Sequence, residues 1–300
     1  MVKMIIMVGL PASGKSTIAK EIAIKENAII HSSDLLRKEL FGDENECDRN
    51  EELFKELHSR IKQDLSKDVN VIYDATNVSY KRRKAFLDEL RKLGCEKICY
   101  LIATPYKKCL EQNKIRERFV PEHVIRKMYL NFDVPAYFEG WDKIEIVYNG
   151  KIEDYLTLFE RLDVINQDNP HHTYTIGIHC KSCTAYVCNS LIGKRLNDES
   201  LIASALYHDI GKEFTKGFKN VKGEDTDIAH YYNHHNISAY MSLFLLKDKE
   251  YILDTCQLIR WHMQLFFIQS EKALSKFVNL VGQEFYDKLM ILHEADIKAK

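Results

Sequence analysis

The chain of 300 residues has no apolar run near the ~20 residues a membrane-spanning helix needs; residues 4–10 (MIIMVGL) and 241–246 (MSLFLL) are its longest. It also lacks the pattern of an export signal, because the first apolar run passes directly into a charged, glycine-bearing loop; a cytoplasmic protein is expected. There is no repeat, no low-complexity segment and no excess of charge, the formal net charge being −1. Near-neutrality excludes a globally basic nucleic-acid wrapper but leaves room for a local phosphate-binding patch. With 45% hydrophobic and 29% charged residues, the composition excludes a disordered, collagen-like or coiled-coil chain. The eight cysteines are scattered, and without an export signal they are expected as free thiols, mostly small core residues.

Length favours two domains, and two kinds of residue divide unevenly between the halves. Residues 1–150 carry 26 Lys+Arg against 24 Asp+Glu, whereas the remainder carries 17 against 20. Of twelve histidines, only His31, His58 and His123 precede residue 150. A mildly basic half suits phosphate; imidazoles gathered with carboxylates suit a metal.

The first half alternates strand-like runs (3–8, 28–31, 69–73, 97–102, 143–148) with helical patterns (16–25, 34–41, 51–64, 80–93, 107–114). That alternation implies a parallel sheet with crossover helices. After Asn149-Gly150 and a short helix at 152–163, the polar NQDNP stretch at 166–170 reads as a linker. Helical patterns follow at 176–192, 199–208, 233–246, 251–263, 271–281 and 283–295. The expected organisation is thus an α/β domain over 1–150, a linker over 151–168 and an all-α domain over 169–300.

Gly9-Leu-Pro-Ala-Ser-Gly14-Lys15-Ser16 fits GxxxxGK[ST] between a strand and a helix. Glycines let the backbone curl so that its N–H groups face a phosphate, and the helix N-terminus adds its dipole. Gly9, Ala12, Ser13, Gly14 and Thr17 would form the cradle. Lys15 would reach the β- and γ-phosphates, and Ser16 would hold Mg²⁺. This half is expected to bind ATP or another nucleoside triphosphate. Asp34 and Arg37 follow the second strand, three apart on one helix face, where a carboxylate can take a hydroxyl proton and an arginine can clamp a phosphate. Asp74-Ala-Thr-Asn77 follows the third strand, a place where a carboxylate meets Mg²⁺. Arg116 and Arg118 lie in a short connection before a helix and can close over the γ-phosphate.

Together these segments (GLPASGKS, SSDLLR, DATNVSYKRR, NKIRERFVPEHVIRKM) resemble the polynucleotide 5′-kinase family of P-loop phosphotransferases over residues 3–148. The resemblance implies Asp34 as general base for a 5′-hydroxyl, Arg37 as ligand of the acceptor's phosphate, and Arg116 as lid arginine, with Arg118 able to fill that place. Zeta-toxin-like and small-molecule kinases share the layout.

In the second half, His208-Asp209 ends an apolar helix, followed by Gly211 and Lys212. With His179 upstream, and His230, His234, His235, His262 and Asp296 downstream, the order is H…HD…H…H…D. Segments HHTYTIGIHC, ASALYHDIGK, HYYNHHNISA, RWHM and HEADI resemble the HD-domain metallophosphohydrolase superfamily over about 170–298. The resemblance implies one divalent metal on His179, His208, Asp209 and Asp296. A second would sit on His235 and His262, with Asp209 bridging. His235 fits the family spacing better than its neighbour His234. Two ions can activate water and stabilise a leaving oxygen; Mn, Fe, Co, Ni and Zn all suit such ligands. Lys212 is placed to touch a substrate phosphate. His230 is read as a substrate contact or a cap, His171, His172 and His293 as structural, and Cys180 and Cys183 as core.

The whole chain resembles kinase–HD RNA end-healing enzymes. That implies phosphorylation of 5′-OH ends of RNA or DNA, hydrolysis of 2′,3′-cyclic or 3′-phosphate ends, and a separate RNA ligase as partner. Two alternatives stand beside it: a nucleoside or sugar kinase fused to a nucleotidase, and a kinase regulated by an idle HD module that senses nucleotide or RNA.

Overall fold

The computed structural model describes residues 1–46, 48–170, 172–194 and 197–300; Cys47 and His171 lie outside the described residues. The chain separates into two units. The first comprises Met1–Met128 and Pro135–Lys151, and the second Tyr129–Val134 and Ile152–Lys300.

The first unit is built from β1 (Lys3–Val8), α1 (Lys15–Glu26), β2 (Ala28–Ser32), α2 (Ser33–Phe41), α3 (Asn50–Leu65), β3 (Asn70–Asp74), α4 (Tyr80–Glu89), β4 (Glu96–Ala103), α5 (Tyr106–Ile115), α6 (Glu122–Leu130) and β5 (Lys143–Tyr148). All five strands pair in parallel, in the order β2-β3-β1-β4-β5. Met4–Val8 of β1 is buried throughout, as expected for the central strand of a sheet covered on both faces. The strand order reverses direction at β1. In such sheets ligands bind beyond the carboxyl ends of the strands at that point, and the loop after β1 is the glycine-rich one.

One buried ion pair ties this region together. Arg83 of α4 meets Glu139 through two parallel bonds, Nε–Oε2 at 2.8 Å and Nη2–Oε1 at 2.7 Å, with both side chains at most 1% exposed. Glu139 also accepts from Ala136 N–H and Trp141 Nε1, while Arg83 Nη1 donates to Asn77 O. Asn77 in turn donates from Nδ2 to Met7 O of β1. The pair therefore holds the loop after β3 against the central strand.

The second unit runs α7 (Tyr155–Leu162), α8 (Ile176–Lys194), α9 (Glu199–Tyr207), α10 (Lys212–Thr215), β6 (Gly217–Lys219), β7 (Asp225–His230), α11 (His234–Leu245), α12 (Ile252–Trp261), α13 (Gln264–Phe267), α14 (Glu271–Val281) and α15 (Gln283–Lys298). Its core joins α8, α9, α12, α14 and α15 through Val187, Leu201, Ala205, Leu258, Phe277 and Leu292. Cys180 and Cys183 are buried free thiols, in keeping with their reading as core. The helical expectation holds except for the antiparallel β6–β7 hairpin. Its longer strand, DTDIAH, has one fully buried side chain and no clean alternation, so the pattern gave no strand signal.

Removing one partner of the Arg83–Glu139 pair leaves a buried charge unpaired. Glu139→Ala should therefore cost about 3–5 kcal/mol in urea unfolding. A double change to apolar residues of matching volume should recover most of that loss.

Candidate functional site

In the first unit, Gly14 adopts φ 93° at the N-terminus of α1, a left-handed conformation that glycine alone takes without strain. The loop is braced from behind: Thr104 Oγ1 and Asn149 Nδ2 both donate to Ser13 O, and Gly9 N–H donates to Thr76 O. Lys15 folds its ammonium back onto Leu10 O at 2.6 Å. Burial pushes its pKa down, opposed by the nearby Asp74 carboxylate. Ser16 Oγ donates to Asp74 Oδ2 at 2.7 Å, and burial raises the Asp74 pKa against the pull of Lys15. A hydroxyl and a carboxylate so placed are hard oxygen donors suited to Mg²⁺.

Asp34 lies between two arginines. Its Oδ1 is 3.1 Å from Arg37 Nη1, and its Oδ2 pairs with Arg118 Nη1. Arg37 is buried and also donates to Asn50 Oδ1 at 3.0 Å. Arg116 differs from Arg118: its Nε and Nη2 are buried with no hydrogen-bond partner among the described residues. Burial and the Arg118 charge lower its pKa. An arginine with idle donors can accept a phosphate. The two arginines thus divide, Arg118 holding Asp34 and Arg116 keeping two buried donors available.

In the second unit the ligand-bearing residues sit at helix ends. His179 is in the first turn of α8, His208 and His262 directly follow α9 and α12, His234 opens α11, and Asp296 is near the end of α15. Gly211 permits this closeness: a Cβ there would lie 2.4 Å from His234 O and 2.8 Å from Ser238 N. Two groups of candidate ligand atoms converge: His179, His208, Asp209 and Asp296, and Asp209, His234 and His262.

The hydrogen bonds of the imidazoles test whether a cation fits. Each Nδ1 faces a backbone carbonyl: Ala299 O for His179 (3.0 Å), Ala205 O for His208 (2.9 Å), Tyr231 O for His234 (2.7 Å) and Ile259 O for His262 (2.7 Å). A carbonyl only accepts, so every Nδ1 carries its proton and every neutral ring turns an Nε2 lone pair inward. Those lone pairs meet at 3.1 Å between His179 and His208, and at 3.2 Å between His234 and His262. Ligand atoms bound at 2.0–2.2 Å to one ion are separated by about this much. Asp209 Oδ1 lies 3.1 Å from His234 Nε2 and 3.7 Å from His262 Nε2, buried, yet accepts no hydrogen bond from any described residue.

Charge points the same way. Burial alone would raise the Asp209 carboxyl, but His208 and Lys212 hold it well below the usual carboxylate range. His179 and His208 do the same for Asp296. Burial would lower His208, but Asp209 and Asp296 bring it up to about 10, whereas burial takes His262 down to about 3. Two buried carboxylates thus draw positive charge to this point, from a proton or from a metal ion. The donors present fit a divalent transition metal.

His234, not His235, completes the second group, so the structure corrects the expectation from spacing. Asn233 has a left-handed backbone (φ 64°), which starts α11 at His234 and places its Nδ1 against Tyr231 O. His235 next to it is half-buried, with its pKa lowered by burial and by His234. Lys212 is buried as well, 2.6 Å from Asp209 Oδ2, 2.8 Å from Gln167 Oε1 and 3.3 Å from His172 Nε2. Its donors already have protein partners, so it positions Asp209 more directly than it reaches a substrate. His172, read as structural from sequence, instead lines the cavity beside the cluster, as does Tyr231. Neither carried a signal, because both depend on where the loops before α8 and α11 fold.

Family comparison supplies the deciding observation: the AAA domain matches residues 4–135 and the HD domain residues 175–299. The chain joins a P-loop kinase domain to an HD domain. The L-seryl-tRNA(Sec) kinase of Methanococcus maripaludis is 28% identical over 244 residues, covering 75% of this chain and 93% of that protein. A chain of the Pnkp1/Rnl/Hen1 RNA repair complex is 26% identical with a TM-score of 0.37. Its match covers 42% of each chain, so this chain spans less than half of that one. A putative kinase from Chloroflexus aurantiacus is 16% identical with a TM-score of 0.42, over 49% of this chain and 85% of that one. Among the described residues, no helix of the kinase or HD domain is long and apolar enough to cross a membrane.

His234→Ala and Asp209→Asn should each weaken Mn²⁺ binding by more than the ~10–100-fold typical of a lost outer-shell partner. His235→Ala should stay within that range. Metal per chain, measured by mass spectrometry after dialysis, checks the contrast.

Proposed function

We propose that the chain heals RNA ends, phosphorylating a 5′-hydroxyl with ATP in its kinase domain and hydrolysing a 2′,3′-cyclic or 3′-phosphate in its HD domain. The observation that carries this reading is Asp34, clasped by Arg37 and Arg118 on the unit that holds Lys15 and the Ser16–Asp74 pair. An acceptor that brings its own phosphate next to the reacting hydroxyl suits that arrangement: Arg37 binds the phosphate while Asp34 takes the hydroxyl proton. Lys15 leaves Leu10 O to meet the β- and γ-phosphates, and Arg116 places its idle donors on the transferred group. Mg²⁺, held by Ser16 and Asp74, would neutralise phosphate charge.

In the HD domain, His179, His208, Asp209 and Asp296 would hold one divalent ion, and Asp209, His234 and His262 a second. Bound metal supplies an activated water and charge stabilisation on the leaving oxygen. Lys212 keeps Asp209 ionised and oriented. The products, 5′-phosphate and 3′-hydroxyl, are what an RNA ligase joins, and such a ligase is the partner this reading implies.

A second reading rests on the archaeal relative: a kinase whose acceptor is the hydroxyl of serine on a transfer RNA. It keeps the RNA-borne acceptor but removes the end chemistry. Labelled-phosphate transfer to a 5′-OH oligonucleotide, seryl-tRNA and free nucleosides separates the readings. Transfer to the oligonucleotide is expected, and its absence overturns end healing. Lys15→Ala should abolish transfer while hydrolysis of 2′,3′-cyclic AMP with Mn²⁺ survives, and Asp209→Ala should do the reverse. Loss of both activities in either variant would refute the division of labour.

A further inference from the structure

The cavity beside the HD-domain cluster is larger than a phosphate requires. Its volume is about 620 Å³, within the roughly 300–1,000 Å³ of sites that enclose whole organic ligands. Asp209 and Lys212 line it, and so do aromatic side chains that take no part in the cluster. Tyr232 lies parallel to His230 in an offset stack, with ring planes 6° apart and centroids separated by 5.4 Å. Tyr232 is 45% exposed and Phe267 69%, both on the cavity lining. Two buried ring nitrogens on the same lining have no hydrogen-bond partner among the described residues: His172 Nδ1 and His230 Nε2. His172 Nε2 faces the Lys212 ammonium, which can only donate, so Nδ1 is a donor with no acceptor among the described residues.

We propose that this cavity is a nucleoside subsite, in which a base stacks on Tyr232 and Phe267 and a ribose or phosphate oxygen accepts from His172 Nδ1. The proposal deepens the end-healing reading and rests on it in one respect, that the nucleotide's phosphate lies at the cluster. Phosphate or a sugar phosphate alone would leave the aromatic faces bare. A base covers them, and any base will serve, because all present a π face. The chemistry recognised is a nucleoside carrying a 2′- or 3′-phosphate, either free or as the last residue of an RNA.

The test uses the full chain carrying Lys15→Ala, which disables the phosphate-binding loop, and 2-aminopurine riboside 3′-phosphorothioate. The fluorescence of this probe is quenched when its base stacks, and its thiophosphate is slow to hydrolyse. A saturable quench is expected, displaced by 3′-AMP and not by a hundredfold excess of ribose 5-phosphate. Tyr232→Ala and Phe267→Ala should each weaken probe binding by about 5- to 100-fold, the range of one lost base–aromatic stack. Tyr232→Phe should restore it. Equal competition by 3′-AMP and by an RNA ending in 3′-phosphate assigns the site to mononucleotides; tighter competition by the RNA assigns it to strand ends. Ribose 5-phosphate competing as well as 3′-AMP, or wild-type affinity in both alanine variants, would overturn the subsite. Hydrolysis of RNA ends is read in parallel on the chain with Lys15 intact. Its absence alongside an intact quench counts against end healing and leaves the subsite standing.

Discussion

Four backbone carbonyls govern the chemistry of the HD domain. Each belongs to a turn or helix end and accepts from an imidazole Nδ1–H, those of Tyr231 and Ile259 sharing it with a backbone N–H. That one bond sets the tautomer, the ring orientation and the direction of the second nitrogen. Three of the four span the same interval, residue i to the carbonyl of i−3. The fold thus repeats one local device around Asp209, and the apolar contacts among α8, α9, α12 and α15 bring the copies together. Hydrophobic packing supplies the placement; the hydrogen bonds supply the protonation state.

The kinase domain meets a related problem differently. Its charged groups are buried at the carboxyl ends of parallel strands, where Lys15, Asp74 and Arg116 each lose solvation. Lys15 and Asp74 offset part of that loss by their mutual attraction. Arg116 is drawn by Asp34 and Glu44, yet two of its buried nitrogens find no hydrogen-bond partner among the described residues. Polar bracing sits one layer deeper, in the Arg83–Glu139 pair and the bonds from Asn77, Thr104 and Asn149 to the backbone. Rigid support beneath and unsatisfied charge above is a suitable arrangement for gripping a triphosphate.

Much of this was legible in the sequence, for identifiable reasons. The strands of the first unit are apolar runs bounded by turns, and parallel sheets buried on both faces produce that pattern. Lys15, Ser16, Asp34, Arg37 and Asp74 stand at fixed offsets from strand ends, so spacing located them. His179, His208, His262 and Asp296 stand in an order along the chain that resembles the HD superfamily, and that resemblance singled them out. Three things were not legible. The β6–β7 hairpin has too few buried side chains to alternate. His172, Gln167 and Tyr231 gather around Lys212 through loop conformations that leave no periodic trace. The choice between His234 and His235 depends on a backbone angle, and spacing, which favours His235, carries no record of that angle.

That last point has a consequence for how the site tolerates change. Asn233 is not among the cluster's candidate ligands, yet its left-handed backbone decides which imidazole faces inward. For most residues that conformation costs roughly 1–2 kcal/mol, and only glycine and asparagine enter it readily. A β-branched residue at 233 would shift the start of α11 and turn the wrong histidine toward Asp209. The donor set would then be lost while every ligand remained in the sequence. The register of a helix, held by one small side chain, is as much a part of this candidate metal site as the nitrogen atoms that line it.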